Sequence, residues 1–197
     1  MKIIGLTGSI AMGKTHTARI FAEEGIPVFD ADAVVHGFYQ PGGKAVDIVR
    51  SLSPGAIVEG GVDRRRLSAA IMQDEELLRR LEQAIHPLVR EEQEQFLERQ
   101  RRKNAPLVVI DVPLLFETGR EKEFDSIIVV SAPPEIQRQR ALARPGMTPE
   151  KLDLMLSRQT PDHEKRARAD FVVETGGSKE LARSQVKRIV NLLSASC

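Results

Sequence analysis

Lys2-Ile3-Ile4-Gly5-Leu6-Thr7-Gly8-Ser9-Ile10-Ala11-Met12-Gly13-Lys14-Thr15 opens the chain, and a helical pattern follows it. The apolar run 2–6 reads as a buried strand. Gly8 to Thr15 matches G-x-x-x-x-G-K-[ST], a phosphate-binding loop, in the strand-then-helix setting that this motif requires. Its glycines let the backbone curl so that successive N–H groups point inward at phosphate oxygens. Lys14 then reaches the β- and γ-phosphates, and the Thr15 hydroxyl is placed to ligate Mg²⁺. A Gly-rich turn with no ligand is the bland alternative, and it would leave the agreement of loop, strand and helix to accident.

Further apolar runs at 27–29, 107–112, 126–131 and 171–174 have the look of buried parallel strands, and helical patterns separate them. Strands alternating with helices imply a doubly wound α/β fold with a five-stranded parallel sheet. Ligands in such sheets bind at the carboxyl ends of the strands. The loop 8–15 follows the first strand, Asp30 and Asp32 follow the second, and Asp111 closes the third, so one sheet edge gathers every candidate. We expect a single domain over 1–197 with two elaborations. One is a helical, substrate-binding insert at about 33–105, too long for a simple crossover. The other is an arginine-rich lid at about 138–166, carrying Arg138, Arg140, Arg144, Arg158 and Arg166.

Within the insert, Pro41-Gly42-Gly43, Ser53-Pro54-Gly55 and Gly60-Gly61 mark turns. Asp74 reads as an N-cap before Leu77, Leu78, Leu81 and Ile85, which fall on one helical face. The helix is expected to stop near His86, because Pro87 lacks a donor, with a new helix starting at Pro87. In the lid, Thr148-Pro149 and Thr160-Pro161 read as cap-plus-first-turn helix starts.

Composition excludes several classes. Lys+Arg total 29 against Asp+Glu 28, so no global charge points to nucleic acid or a membrane as partner. Trp is absent and Tyr occurs once, which leaves little for base stacking. The single cysteine, Cys197, permits no intramolecular disulfide and fits a reducing compartment. With no room for a signal peptide before the first strand and no apolar run of membrane-spanning length, the expected location is cytoplasmic.

Phosphoryl transfer asks for cradled phosphates, a metal, a positioned acceptor and positive charge on the transferring group. Asp32 is a candidate to orient or deprotonate an acceptor hydroxyl, or to hold Mg²⁺ through water. Asp30 is as well explained as a cap, on the view that the two alternate along an extended segment. Asp111 resembles a metal-facing carboxylate at a strand end. His86 reads as a buried, hydrogen-bonded turn residue, with a substrate contact left open, and His16 as acting through its backbone N–H. Residue types alone leave a nucleoside or nucleotide kinase open. A GTPase-type switch lacks its Asn-Lys-x-Asp run here, and a nucleotide-binding scaffold would have no need of Asp32.

The strings "GLTGSIAMGKT", "FDAD", "VDRRRL", "LEQAIHPLVR", "IDVPLLFE" and "RQTPDHEKRARADFVV", in this order and spacing, resemble the dephospho-coenzyme A kinase family over residues 1 to about 180. The resemblance implies a P-loop kinase that moves the ATP γ-phosphoryl group to the ribose 3′-hydroxyl of dephospho-CoA with Mg²⁺. By position it implies that Ala11, Met12, Gly13, Lys14, Thr15 and His16 hold the ATP phosphates, with Asp32 as the acceptor-activating carboxylate. Arg140 and Arg144 become lid arginines near the transferring phosphate. Arg64, Leu67, His86, Pro87, Leu114, Leu115 and Glu117 line the acceptor side. Two positions depart from the family: glycine is common where Ala11 stands, and arginine where Met155 stands. If position 11 needs positive φ, alanine there costs roughly 1 kcal/mol.

Overall fold

Strand β1 (Lys2–Thr7), the buried strand that its apolar run predicts, lies at the centre of the sheet. The computed structural model describes residues 1–195, so Cys197 lies outside the described residues. In chain order the elements are β1, α1 (Lys14–Glu23), β2 (Val28–Asp30), α2 (Ala31–Phe38), α3 (Val46–Leu52), β3 (Ile57–Val58), β4 (Gly61–Val62), α4 (Arg64–Gln73) and α5 (Glu75–Arg102). There follow β5 (Leu107–Asp111), β6 (Ser126–Ser131), α6 (Pro134–Leu142), α7 (Pro149–Ser157), α8 (Asp162–Ala167), β7 (Phe171–Glu174) and α9 (Lys179–Ser194). Two compact units result, one built from residues up to Phe29 together with those from Gln100 onward, the other from Asp30–Arg99.

The first unit carries the five-stranded parallel sheet, in the order β2-β5-β1-β6-β7. β1 pairs with β5 through Ile4 opposite Val109 and with β6 through Leu6 opposite Ile128. Chain order reverses around β1, which makes its carboxyl end the place where a crevice opens. One face of the sheet packs under α1 and α9. Ile20 and Phe21 come from α1, and Ala182, Val186, Ile189 and Leu193 recur along α9 at helical spacing, meeting Ile4, Leu6, Val109, Ile128, Val130 and Val173. Phe21, Ile4, Leu6 and Ile128 are fully buried, each contributing about 1.5–3 kcal/mol by area. Ser178 caps α9 by accepting from Leu181 N at 3.2 Å.

The second unit is mostly helical and adds a β3–β4 hairpin turned at Glu59 and Gly60. Its own core joins Phe38, Val49, Leu67, Leu77, Leu81 and Ile85, with Leu88 and Val89 partly buried against them. Three sequence expectations are corrected here or nearby. First, α5 runs unbroken through Pro87. The apolar face continues on both sides of the proline, so packing outweighs the one bond that Gln83 C=O cannot receive from it, and that turn faces solvent. His86 is therefore an exposed helical residue, not a buried turn residue. Second, Asp32 lies in the first turn of α2 rather than in an extended segment, and Asp30 is the N-cap, accepting from Ala33 N at 2.9 Å. Third, α8 starts one residue later than Thr160-Pro161 implies, with Pro161 as its N-cap. Asp74 does cap α5, accepting from Leu77 N at 3.1 Å, and Thr148 caps α7.

Because Pro87 occupies a helix interior, Pro87→Ala restores a backbone donor and removes a ring clash. Its Tm is expected to rise by about 4 °C or more. An unchanged or lower Tm in a melting experiment would show that the helix is relaxed around the proline.

Candidate active site

β1 delivers the chain to a tight loop against its neighbour β6: a Cβ on Gly8 would lie 2.6 Å from Val130 O, so only glycine fits. Ala11 (φ 62°) and Gly13 (φ 92°) are both left-handed. Position 11 does need positive φ, and alanine bears a strain of roughly 1 kcal/mol there. Gly13 occupies the N-cap position of α1 with no side-chain cap, and the first helical bond runs from Thr17 N to Gly13 O at 3.1 Å. The N–H groups of Lys14, Thr15 and His16 therefore have no acceptor within the helix, and they present the positive end of its dipole. An anion is the complementary ligand.

Lys14 Nζ donates to Asp111 Oδ1 at the end of β5, with side-chain exposures of 15% and 7%. The lysine and the strand-end carboxylate that the sequence singled out thus meet at one place. Thr15 is exposed beside them, whereas His16 buries an Nε2 that has no partner among the described residues. Thr15 and Asp111 offer hydroxyl and carboxylate oxygen, hard donors that suit Mg²⁺. Among the described residues no group of three or more His, Cys, Asp or Glu forms a cage. A Mg²⁺ held through phosphates and water calls for none.

The arginine-rich helices are anchored by specific contacts. Arg140 donates to Thr175 Oγ1 at 3.1 Å and to Thr175 O at 2.7 Å. Arg138 pairs with Asp153 across α6 and α7 at 3.1 Å. The Arg144 guanidinium is exposed and has no partner among the described residues. On α8, the fully buried Lys165 lies 2.8 Å from Glu117 Oε1, which also accepts from Thr160 N at 2.8 Å. Burial pushes the Glu117 carboxyl up, but the adjoining Lys165 ammonium and hydrogen bonds from backbone N–H groups outweigh it and hold the group below its ordinary value. Of its neighbours in sequence, Leu114 is 43% exposed, while Leu115 is fully buried with its Cδ1 against Gly5.

The remaining sequence candidates belong to the second unit. Asp32 is exposed, and its carboxylate has no partner among the described residues. Arg64 begins α4 behind the Asp63 cap, and its charge opposes the upward push that burial gives the Tyr39 phenol. Leu67 is core. His86 and Pro87 line an open depression of about 290 Å³ on α5 with Gln83, Arg90, Glu91 and Glu94.

A family profile described as dephospho-CoA kinase matches residues 2–180. The chain belongs to the dephospho-CoA kinase family. The dephospho-CoA kinase of Agrobacterium fabrum is 52% identical over 195 residues, covering 99% of this chain and all of the relative. A Thermus thermophilus protein of solved structure shares 34% identity at a TM-score of 0.77, covering 97% of this chain and 96% of its own. The dephospho-CoA kinase of Campylobacter jejuni superposes at 0.71 with 98% of each chain covered; at 20% identity it speaks for the fold alone.

The sequence singled out none of Thr175, Gln137, Gln159 and Lys165, which the fold brings to the loop and to α8. Thr175 carried a faint signal, a hydroxyl directly after the strand β7 at the ligand-binding edge. Lys165 carried none, being one cation in a charged run.

The Glu117–Lys165 pair sets a pH dependence. Since the folded carboxyl value is depressed, its stabilisation is complete above the ordinary value of 4.5 and is lost as pH falls through the lowered one. Glu117→Gln strands a buried ammonium and should cost about 3 kcal/mol at neutral pH. The gap in Tm between this variant and wild type should narrow as the melts move from about pH 7 to about pH 3. A gap independent of pH would remove the carboxylate from the account.

Proposed function

We propose that this chain phosphorylates the ribose 3′-hydroxyl of dephospho-CoA, using the γ-phosphoryl group of ATP and releasing CoA and ADP. The family match over residues 2–180 carries this reading, because the loop geometry names a phosphate donor without naming the acceptor. The hydroxyl oxygen bonds to the γ-phosphorus as the bond to the β,γ-bridging oxygen breaks, and the hydroxyl proton passes to a carboxylate or to water. Such a transfer is governed by positioning and charge rather than by covalent chemistry at the protein.

Gly8 shapes the loop, and Ala11, Met12, Gly13, Lys14, Thr15 and His16 hold the ATP phosphates through backbone N–H groups and the Lys14 ammonium. In this reading Lys14 exchanges Asp111 for a phosphate oxygen. Thr15 and Asp111 are the residues that would hold Mg²⁺, which when bound neutralises charge on the β- and γ-phosphates. Arg140 and Arg144 act from the lid; the unpaired Arg144 guanidinium suits contact with the transferring group.

Asp32 orients or deprotonates the acceptor hydroxyl. The absence of a fold partner for its carboxylate among the described residues supports that role. Arg64, His86, Pro87, Leu114, Leu115 and Glu117 form the acceptor side, Leu115 by fixing the loop beneath Leu114. Partners are thus ATP and dephospho-CoA, with no nucleic acid and no membrane, and the location is cytoplasmic. The near balance of charge supports the reading that no nucleic acid is a partner.

Purified protein with ATP and Mg²⁺ should convert dephospho-CoA in preference to adenosine and other nucleosides; preference for a nucleoside would overturn the acceptor assignment. Asp32→Asn should lower kcat by about 10² or more with little change in Tm. Near-normal turnover in that variant would make the carboxylate structural.

A further inference from the structure

Ala11 adopts a conformation that an L residue resists, and the residues on either side of it are gripped by side chains far away in sequence. Ile10 N–H donates to Gln159 Oε1 at 3.1 Å, and Ile10 C=O accepts from Gln137 Nε2 at 2.9 Å. Met12 C=O accepts from Thr175 Oγ1 at 2.6 Å, and Met12 N–H donates to Ser9 O at 3.2 Å. The hydroxyl of Thr175 has one proton, and Met12 O is nearer than its other acceptor, Ser131 O at 3.2 Å. Ala11 itself packs in a small apolar cluster with Ala141 of α6 and Leu152 of α7. Gln137 lies on α6, and Gln159 follows α7.

Peptide geometry gives these contacts a direction. In a trans peptide the C=O and N–H of one unit point opposite ways, and no cis bond occurs among the described residues. Holding Ile10 C=O therefore aims the Ala11 N–H away from Gln137. Holding Met12 C=O likewise aims the Gly13 N–H away from Thr175. Together with the Met12–Ser9 bond, the planes before and after Ala11 are both fixed, and those two planes define its φ and ψ.

We propose that Gln137, Gln159 and Thr175 are positioning residues for phosphate binding, a three-sided clamp that holds the strained loop open and aims the Ala11 and Gly13 amides at the nucleotide. The proposal rests on the reading of Gly8–Thr15 as the ATP phosphate site. Without the clamp, Ala11 relaxes to negative φ and the amides turn away. Thr175 has a second task, since the Arg140 guanidinium donates to its hydroxyl and to its carbonyl. One residue thus ties the loop to a lid arginine.

The experiment compares Thr175→Val, Thr175→Ser and Gln137→Met, each alone and the valine and methionine variants also with Ala11→Gly. ATP binding is measured by calorimetry, and KM and kcat are measured for both substrates. Thr175→Val and Gln137→Met should weaken ATP binding and raise KM for ATP about tenfold, with smaller changes in kcat and in KM for dephospho-CoA. Thr175→Ser retains the hydroxyl and should bind ATP like wild type. Ala11→Gly removes the conformational penalty and should recover about threefold or more of the ATP affinity lost in Gln137→Met, whose bond fixes the plane before Ala11, but little of that lost in Thr175→Val, whose bond fixes the Met12–Gly13 unit.

ATP affinity within about twofold of wild type in Thr175→Val and Gln137→Met would overturn the proposal, as would failure of Ala11→Gly to recover any of the loss in Gln137→Met. If Thr175→Val does not fold, the Gln137→Met pair decides by the same criteria. A flat ATP titration of the wild-type protein would overturn the phosphate-site reading itself, and so is distinguishable from failure of the clamp alone.

Discussion

Backbone in the left-handed region at Ala11 and Gly13 is the constraint on which the first unit is organised. Left-handed residues bend the chain so that consecutive amides converge, and converging amides are worth having only if nothing in the protein already occupies them. The start of α1 meets that condition by lacking a side-chain cap, in contrast to α2, α4, α7 and α9, which Asp30, Asp63, Thr148 and Ser178 cap. Leaving a helix start bare while bending an alanine against its preference is destabilising by about 1–2 kcal/mol in total. The burial of Ile20 and Phe21 against the sheet offsets this several times over.

Several charges near the loop and the lid are held in ion pairs. Lys14 rests on Asp111, Lys165 on Glu117, Arg166 on Glu174 at 2.5 Å, and Arg168 on Glu121 while stacking over Phe116. The exposed pairs contribute little to stability, typically about 0–1 kcal/mol. The buried Lys165–Glu117 pair differs, because neither charge can be lost without stranding the other. It fixes α8 to the loop after β5, and Ser131 Oγ, bonded to Asp162 at 2.7 Å and Arg166 at 3.0 Å, adds a second tether. Arg144 and Arg158 stand apart with guanidinium groups that have no partner among the described residues.

Local chemistry was legible wherever the partners are near in sequence. The strands, the loop 8–15, the caps at Asp74 and Thr148 and the strand-end Asp111 follow from periodicity, glycine placement and short-range hydrogen bonding. Pro87 carries a strong local stop signal, yet Leu77, Leu81 and Ile85 before it and Leu88 and Val89 after it pack into one cluster, and burying both halves on a single face outweighs one missing bond. The start of α2 is the local exception: Asp30 caps it through Ala33 N only three residues on, yet the turn that carries Asp32 read as extended chain.

Residues 2–15 by themselves determined the sheet's first strand, the phosphate loop and the class of ligand, because glycine content, a lysine and a hydroxyl at fixed offsets act through the backbone of the same short segment. The spacing of the later strings determined the family. Tertiary structure alone decided what holds the loop in its strained shape: Gln137, Gln159 and Thr175 lie 127, 149 and 163 residues from the groups they bind. Hydrogen bonds over such separations leave no periodic trace in a sequence. Glutamine and threonine are ordinary surface residues until the folding of α6, α7 and β7 brings them to the loop.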